Sequence, residues 1–216
     1  MSGAREAYDV LLFDLGGVVI ELGGMPIWQE WTAEPDESAV WERWLRSTSV
    51  RRFESGRARP EEFADEIVRE FSLRVTPAEF LAHFAQWPKR PFPGAVELLD
   101  ELRPRFRLGC LSNCNEVHWP RFLGEMGLDR VFDRHFSSHE LGLLKPDREV
   151  FDRVVAELAC EPARILFLDD NAINVEAARS AGLDGELVRG PEGVRMALVG
   201  RGVLRADGRQ DTSGSA

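Results

Sequence analysis

Two short apolar runs that end abruptly in carboxylates constrain the fold of this 216-residue chain more than any other feature. Residues 10–13 precede Asp14, and residues 165–168 precede Asp169 and Asp170. Such runs are typical of strands that are buried on both faces of a parallel sheet. Because ligands of open α/β sheets bind beyond the carboxyl ends of the strands, we expect the three carboxylates to share one crevice. They require a cation, and an all-oxygen ligand set favours a hard ion such as Mg²⁺.

The remaining sequence alternates between strand and helix patterns, apart from one long segment. Strands are expected at 8–14, 107–112, 135–138, 164–169 and 185–188, and helices at 94–102, 116–126, 148–158 and 173–181. This alternation predicts an α/β fold with a doubly wound, mostly parallel sheet. Between residues 26 and 90 only amphipathic helical patterns occur, as with Phe63, Ile67 and Phe71.

We therefore expect a helical insertion within an α/β core. The core comprises residues 1–22 and 91–204, the helical cap comprises 23–90, and the polar stretch 205–216 is expected to be a disordered tail.

Bulk composition excludes several classes of partner. The net charge is −10 and the isoelectric point is about 5.0, which argues against nucleic-acid binding. No apolar run approaches the roughly 20 residues of a membrane span, so we expect no membrane partner. The three cysteines are an odd number without metal-site spacing, which is typical of reduced thiols in a cytoplasmic protein.

Four groups of polar residues follow the predicted strands or begin helices. They are Asp14, the pair Ser112 and Asn113, Lys145 before Pro146, and Asp169 and Asp170 with Asn174. Together they offer a carboxylate nucleophile, a hydroxyl, backbone amides, an ammonium and metal ligands, which are sufficient for phosphoryl transfer. Only two of the 27 basic residues are lysines, which hints that Lys145 occupies a site where a compact ammonium is needed.

The motifs Asp-x-Gly-Gly-Val, Leu-Ser-Asn, Lys-Pro and Leu-Asp-Asp-Asn-x-x-Asn occur in this order along the chain. This order resembles the haloacid dehalogenase superfamily of hydrolases, whose core is Rossmann-like, and the inserted helices resemble the helical cap of that family. The segments Phe-Asp-Leu-Gly at 13–16 and Phe-Glu-Ser-Gly at 53–56 resemble a narrower group. That group includes a bacterial glucose-1-phosphate phosphatase and the phosphatase domain of soluble epoxide hydrolases.

The resemblance implies how this chain would bind and attack a phosphate ester. Asp14 would attack phosphorus and form an aspartyl-phosphate, and Lys145 would neutralise charge between the nucleophile and the phosphate. The residues that would hold the phosphoryl oxygens, besides Lys145, are Leu15, Gly16, Ser112 and Asn113.

The resemblance also implies a magnesium site. Asp14, the backbone carbonyl of Gly16 and Asp170 would bind the ion directly. Asp169 and Asn174 would act on it through metal-bound water.

The chain departs from the family pattern at Gly16. Most phosphatases of the superfamily carry a second aspartate at this point, two residues after the nucleophile, as the general acid and then the base. General acid–base catalysis typically contributes about 10²–10⁴-fold. Three explanations remain open: a cap residue or water replaces the acid, the leaving group departs without one, or the enzyme is weak.

These features predict a Mg²⁺-dependent phosphatase that acts on a small soluble phosphomonoester such as a sugar phosphate. The enzymatic alternative is a 2-haloacid dehalogenase, which also uses an aspartate nucleophile. That carbon chemistry needs no metal, so the adjacent Asp169 and Asp170 favour the phosphatase. A third alternative is a catalytically weakened binding or regulatory protein, which only Gly16 supports.

Overall fold

The computed structural model describes residues 6–23, 30–32 and 36–205. Apart from residue 205, the tail expected at 205–216 lies outside the described residues. No helix in the described ranges is both long and apolar enough to cross a bilayer.

The described strands form one parallel sheet and one small hairpin. They are β1 (Val10–Phe13), β2 (Ile20–Leu22), β3 (Pro88–Pro91), β4 (Arg107–Ser112), β5 (Arg134–Ser137), β6 (Ile165–Asp169) and β7 (Asp184–Leu187). The parallel sheet has the order β5-β4-β1-β6-β7, and β2 pairs with β3 in an antiparallel arrangement.

The described α-helices flank the sheet or form the inserted segment. They are α1 (Glu37–Arg46), α2 (Thr48–Glu54), α3 (Pro60–Glu70), α4 (Pro77–Phe84), α5 (Ala95–Leu102), α6 (Ser138–Leu141), α7 (Arg148–Leu158), α8 (Ala172–Ser180) and α9 (Gly190–Gly200). This is the α/β architecture, with a mostly parallel sheet, that the alternating pattern predicts.

Strands β1 and β6 are neighbours, as predicted from their apolar runs. Phe13 lies opposite Leu168 in the parallel register, so the carboxylates that follow both strands emerge side by side. Leu11 and Phe13 face one hydrophobic cluster, whereas Val10 and Leu12 face another on the opposite side of the sheet. Burial on both faces explains why these strands are continuously apolar rather than alternating.

Helices α1 to α4 bury a third hydrophobic cluster, which is separate from the two beside the sheet. Its centre is aromatic: the Phe53 and Phe63 rings stack with their centroids 4.1 Å apart, and Trp44 packs edge-on against Phe63. These helices therefore have their own core. We propose that they belong to a cap formed by residues 23–90.

The hairpin β2–β3 was not expected, since only helices were predicted between residues 26 and 90. Strand β3 has the sequence Pro-Lys-Arg-Pro, which lacks the apolar alternation that would identify a strand. It forms because Ile20 pairs with Pro91 and Leu22 with Pro88. Both connections between the sheet and helices α1–α4 thus run through one hairpin.

The helix expected at 116–126 is also only partly formed. The Asn115 side-chain oxygen accepts hydrogen bonds from the backbone N–H groups of Val117 and His118, which begins the segment with a turn. A π-helical stretch, Arg121–Glu125, follows. The side-chain hydrogen bonds replace the regular helical start that the apolar spacing suggested.

Substitution of Phe63 by alanine tests the independent core of α1–α4. Phe63 is fully buried between aromatic rings, so we expect Phe63→Ala to lower the free energy of unfolding by about 3–5 kcal/mol. Urea denaturation measures this loss. Leu45, whose side chain is 58% exposed in α1, is the control, and Leu45→Ala should change the free energy little. Equal effects of the two substitutions would contradict this assignment.

Candidate active site

Three carboxylates meet at the carboxyl ends of β1 and β6. Asp14 and Asp169 are buried, and Asp170 is partly buried. One oxygen from each of the three lies within 4.8 Å of the others. The sequence therefore predicted this juxtaposition correctly from the two strand ends.

The ammonium of Lys145 lies between two of these carboxylates. Its Nζ donates to Asp14 Oδ1 at 2.8 Å, to Asp169 Oδ2 at 2.7 Å and to the Leu111 carbonyl at 2.9 Å. All three N–H bonds of the ammonium are thus satisfied. A lysine from the loop before α7 therefore joins the ends of β1, β4 and β6.

Even with this lysine, the cluster has more negative than positive charge. Burial raises the pKa of Asp14 to about 7, with Lys145 opposing the shift and Asp169 adding to it. Burial and the neighbouring Asp169 also raise the pKa of Asp170. Burial disfavours the ammonium of Lys145, yet the Asp14 and Asp169 carboxylates outweigh it and raise its pKa. A divalent cation would relieve this excess of negative charge.

The donor atoms fit a hard metal ion. Among the described residues, no other residue donates a hydrogen bond to the Asp170 carboxylate or to the Gly16 carbonyl, so both keep lone pairs for a metal ion. Asp14 contributes a further carboxylate beside them. Oxygen donors of this kind are the ligands that Mg²⁺ takes in proteins. These residues could hold the ion that the sequence suggested.

Asp169 is held differently from its neighbour Asp170. Asn174 donates its amide to both Asp169 oxygens at 3.1 Å, the Asn171 N–H donates to Oδ1 at 2.8 Å, and Lys145 occupies Oδ2. The carboxylate of Asp169 is therefore fixed by protein donors. This arrangement suits a residue that orients the site rather than one that binds a metal directly.

Backbone N–H groups suitable for an anion lie at the same edge of the sheet. In the part of the chain that the structure describes, the N–H groups of Leu15, Gly16 and Asn113 donate to no acceptor. Ser112 ends β4 with a buried side chain whose hydroxyl makes only a long 3.5 Å contact, to the Asn113 carbonyl. Backbone amides without a protein acceptor at one edge of a sheet can bind phosphate oxygens.

The Asn113 side chain has a role that sequence reasoning missed. Its Nδ2 donates to the Lys145 carbonyl and its Oδ1 accepts from the Lys145 N–H, both at 2.9 Å. The side-chain amide of Asn113 therefore pairs with the Lys145 backbone as a neighbouring strand would. It fixes the loop 142–147, here called the lysine loop, against the end of β4. Adjacent Ser and Asn residues after a strand gave no signal of this contact, because the partner lies 32 residues away.

Gly17, rather than Gly16, requires glycine for conformational reasons. Gly17 has a φ of +73°, and a Cβ there would lie 2.1 Å from Asp170 Oδ2. At Gly16 the φ is unstrained, and a Cβ would approach only the flexible Leu22 side chain, at 3.0 Å. The absence of an acid at position 16 is therefore not imposed by the backbone.

Helix α2 brings a fourth carboxyl group, that of Glu54, toward this site. Arg51 forms a 2.7 Å salt bridge with Asp147, two residues beyond Lys145. Glu54 lies one turn further along α2, so it shares the face of the helix that carries Arg51. In the sequence, the segment 53–56 carries only the family resemblance, and nothing there predicts a role for Glu54.

Several hydrogen bonds between the segment 23–90 and the core are accepted by main-chain carbonyls of that segment. Ser138 Oγ donates to the Glu54 carbonyl at 2.6 Å, and His118 Nε2 lies 2.7 Å from the Phe84 carbonyl. Arg121 donates to the carbonyls of Ala85 and Pro88. These bonds fix the ends of α2 and α4 over the carboxyl edge of the sheet.

Comparison with known proteins gives the family directly. The family model for haloacid dehalogenase-like hydrolases matches residues 8–182, which include all four motifs. The chain belongs to this family. The resemblance inferred from the motifs is therefore confirmed, and the protein is a hydrolase.

Several characterised or solved members are similar over most of the chain. A D-ribitol-5-phosphate phosphatase from Bacteroides thetaiotaomicron is 24% identical over 186 residues, covering 81% of this chain and 88% of that protein. A family enzyme from the same organism, solved with magnesium and inorganic phosphate, superposes with a TM-score of 0.69 at 24% identity, covering 84% and 94% of the two chains. A hydrolase structure from Porphyromonas gingivalis gives a TM-score of 0.73 at 27% identity, covering 94% and 100%.

Removal of the Lys145 ammonium tests the charge balance of the site. We expect Lys145→Ala to lower the free energy of unfolding by about 3–5 kcal/mol, because two buried carboxylates lose their partner. Asp14→Asn should cost much less, since it removes one of the repelling negative charges and keeps the side-chain shape. Urea denaturation in a chelator compares the two variants. A larger loss for Asp14→Asn would contradict this description.

We expect alanine substitutions at the two adjacent glycines, Gly16 and Gly17, to affect Mg²⁺ binding differently. Gly17→Ala should weaken Mg²⁺ binding because the new methyl group occupies the position of the Asp170 carboxylate. Gly16→Ala should leave Mg²⁺ binding nearly unchanged, since the Leu22 side chain can move aside. Isothermal titration with MgCl₂ measures both affinities, and equal affinities would show that Gly17 does not shape the site.

Proposed function

We propose that this hydrolase is a Mg²⁺-dependent phosphatase of a small phosphomonoester that acts through an aspartyl-phosphate. The observation that carries the proposal is the buried Lys145 between Asp14 and Asp169, beside free N–H groups at the same strand ends. A phosphoryl group is a compact dianion that demands this combination of cations and amide donors around one nucleophile.

The nucleophile in this mechanism is Asp14. One of its oxygens is hydrogen-bonded to Lys145, which holds the side chain in one orientation. The other oxygen would attack phosphorus in line with the departing ester oxygen. One bond between an Asp14 oxygen and phosphorus forms as the bond from phosphorus to the ester oxygen breaks, and water then hydrolyses the resulting acyl phosphate.

The groups around the nucleophile would bind the three non-bridging oxygens. The N–H groups of Leu15, Gly16 and Asn113 and the hydroxyl of Ser112 would donate to them, and Lys145 would offset their charge. Mg²⁺, held by Asp14, the Gly16 carbonyl and Asp170, would supply positive charge beside the phosphate. Asp169 and Asn174 would keep Lys145 and the metal ligands in position.

Charge favours phosphate over a halogenated acid as substrate. A 2-haloacid carries one negative charge and needs no metal, so Asp169 and Asp170 together would repel it from Asp14. A phosphate ester brings the opposite situation, because the cation that neutralises the carboxylates also binds the substrate. We therefore place dehalogenation second.

A polyol or sugar phosphate is the substrate class that we propose. The support is the D-ribitol-5-phosphate phosphatase, which is similar along most of its length.

We expect hydrolysis of para-nitrophenyl phosphate that requires Mg²⁺. Chelation should abolish the release of nitrophenolate and added MgCl₂ should restore it, because the carboxylate cluster otherwise repels the dianion. Asp14→Asn should lower turnover by at least about a thousandfold, as removal of a nucleophile does in comparable enzymes. Spectrophotometric rates with and without chelator provide the measurement.

Two controls make the result decisive. The Asp14→Asn protein should keep the wild-type circular dichroism spectrum, so that lost turnover reflects chemistry. A parallel assay of halide release from 2-chloropropionate should be negative. Full activity in chelator, or halide release without phosphate release, would refute the phosphatase proposal.

A further inference from the structure

A phosphatase with Gly16 lacks the usual acid, and helix α2 presents a replacement. We infer that Glu54 protonates the leaving oxygen and later deprotonates the attacking water, in place of the residue absent at position 16. This inference rests on the proposed phosphatase function. It is carried by the placement of α2 over the carboxyl edge of the sheet.

The backbone of Glu54 is anchored to the loop that would bind phosphate. Ser138 Oγ donates to the Glu54 carbonyl at 2.6 Å and accepts from the Cys114 N–H at 2.9 Å. Cys114 directly follows Asn113, one of the phosphate-binding candidates. Two residues along, Gly56 has a φ of +69°, and a Cβ there would lie 2.4 Å from the His139 carbonyl, so the cap backbone lies directly on the core.

The Glu54 side chain points away from the cap core. The preceding Phe53 is buried among the cap aromatics, and successive residues of a helix face different directions. Arg51 marks the face that Glu54 shares, and its guanidinium reaches Asp147 in the lysine loop. The carboxyl of Glu54 therefore faces the side of the core that carries Lys145 and Asp14.

The electrostatic environment of Glu54 agrees with this placement. Burial raises the pKa of Glu54 to about 7, while Lys145 and Arg51 oppose the shift and Asp14 adds to it. The buried Cys114 thiol also lies within electrostatic range. Among the described residues, the carboxyl of the partly buried Glu54 forms no hydrogen bond or salt bridge that would hold it ionised. It can thus carry a proton at neutral pH and still release it, as a general acid must.

The proposed reaction has two steps, which together regenerate both the Asp14 and the Glu54 side chains. An Asp14 oxygen forms a bond to phosphorus, the bond to the ester oxygen breaks, and the Glu54 proton transfers to that oxygen. Water then attacks phosphorus while the Glu54 carboxylate takes one of its protons, and the bond to Asp14 breaks. Phosphate leaves, and both side chains return to their starting states.

The test is the dependence of kcat/KM on the leaving group in Glu54→Gln. This constant reports the steps up to departure of the leaving group, so it isolates the acid role from the later base role. We expect kcat/KM to fall about 10²–10⁴-fold for alkyl phosphates such as ribitol 5-phosphate. It should change little for para-nitrophenyl phosphate, whose leaving group departs without a proton.

The pH profile gives a second readout that a structural role would not change. Wild-type kcat/KM for the alkyl phosphate should decline above about pH 7, as the Glu54 carboxyl loses its proton. Glu54→Gln should lose this decline, and Glu54→Asp should keep it. Glu61→Gln is the matched control, because Glu61 is an exposed glutamate in the adjacent helix α3, and it should match the wild type in both measurements.

A carboxylate restored at position 16 should rescue the Glu54 variant. Gly16 has an unstrained backbone, so Gly16→Asp in the Glu54→Gln protein should recover alkyl phosphate hydrolysis at least tenfold. If Glu54→Gln lowers kcat/KM equally for aryl and alkyl substrates, or for neither, the role of Glu54 is wrong. The proposed phosphatase function would not be affected by that result. A wild-type protein without Mg²⁺-dependent phosphatase activity would overturn the proposed function and this inference together.

Discussion

The interaction on which the rest of the site depends is the contact of the Lys145 ammonium with Asp14 and Asp169. Asp14 follows β1 and Asp169 ends β6, and both carboxylates contact the same ammonium. Without that ammonium, two buried negative charges so close together would repel each other. The Asn113 amide holds the backbone of the lysine loop, and Asn174 holds the second carboxylate. The site is therefore one hydrogen-bonded unit that joins the ends of three strands.

The strands and the carboxylate cluster could be predicted because their signals lie in short contiguous segments of the sequence. Strand β1 and strand β6 are apolar over consecutive residues and stop at acids, and parallel pairing then places Asp14 beside Asp169. The bounds of β4 and α7 were also correct, at 107–112 and 148–158. By contrast, β3 has no periodic signal at all, and only its pairing with β2 makes it a strand.

The parts of the site that sequence reasoning missed depend on distant partners. The contact of Asn113 with Lys145 joins residues 32 apart, and the salt bridge from Arg51 to Asp147 joins residues 96 apart. Neither residue differs in type from many polar residues elsewhere in the chain. Gly17 is a related case, because two adjacent glycines look alike in sequence and only the position of Asp170 separates them.

Several hydrogen bonds hold the proposed cap against the core through its main chain, since the carbonyls of Glu54, Phe84 and Ala85 accept hydrogen bonds from core side chains. Every residue type offers the same main-chain carbonyl, so these hydrogen bonds do not depend on which side chains those cap residues carry. Side chains that overhang the nucleophile could be exchanged while the helices keep their position. In the proposed cap, the position of the helices and the selection of a substrate would thus depend on different groups, and new substrate preferences could arise by substitution in the cap without a matching change in the core.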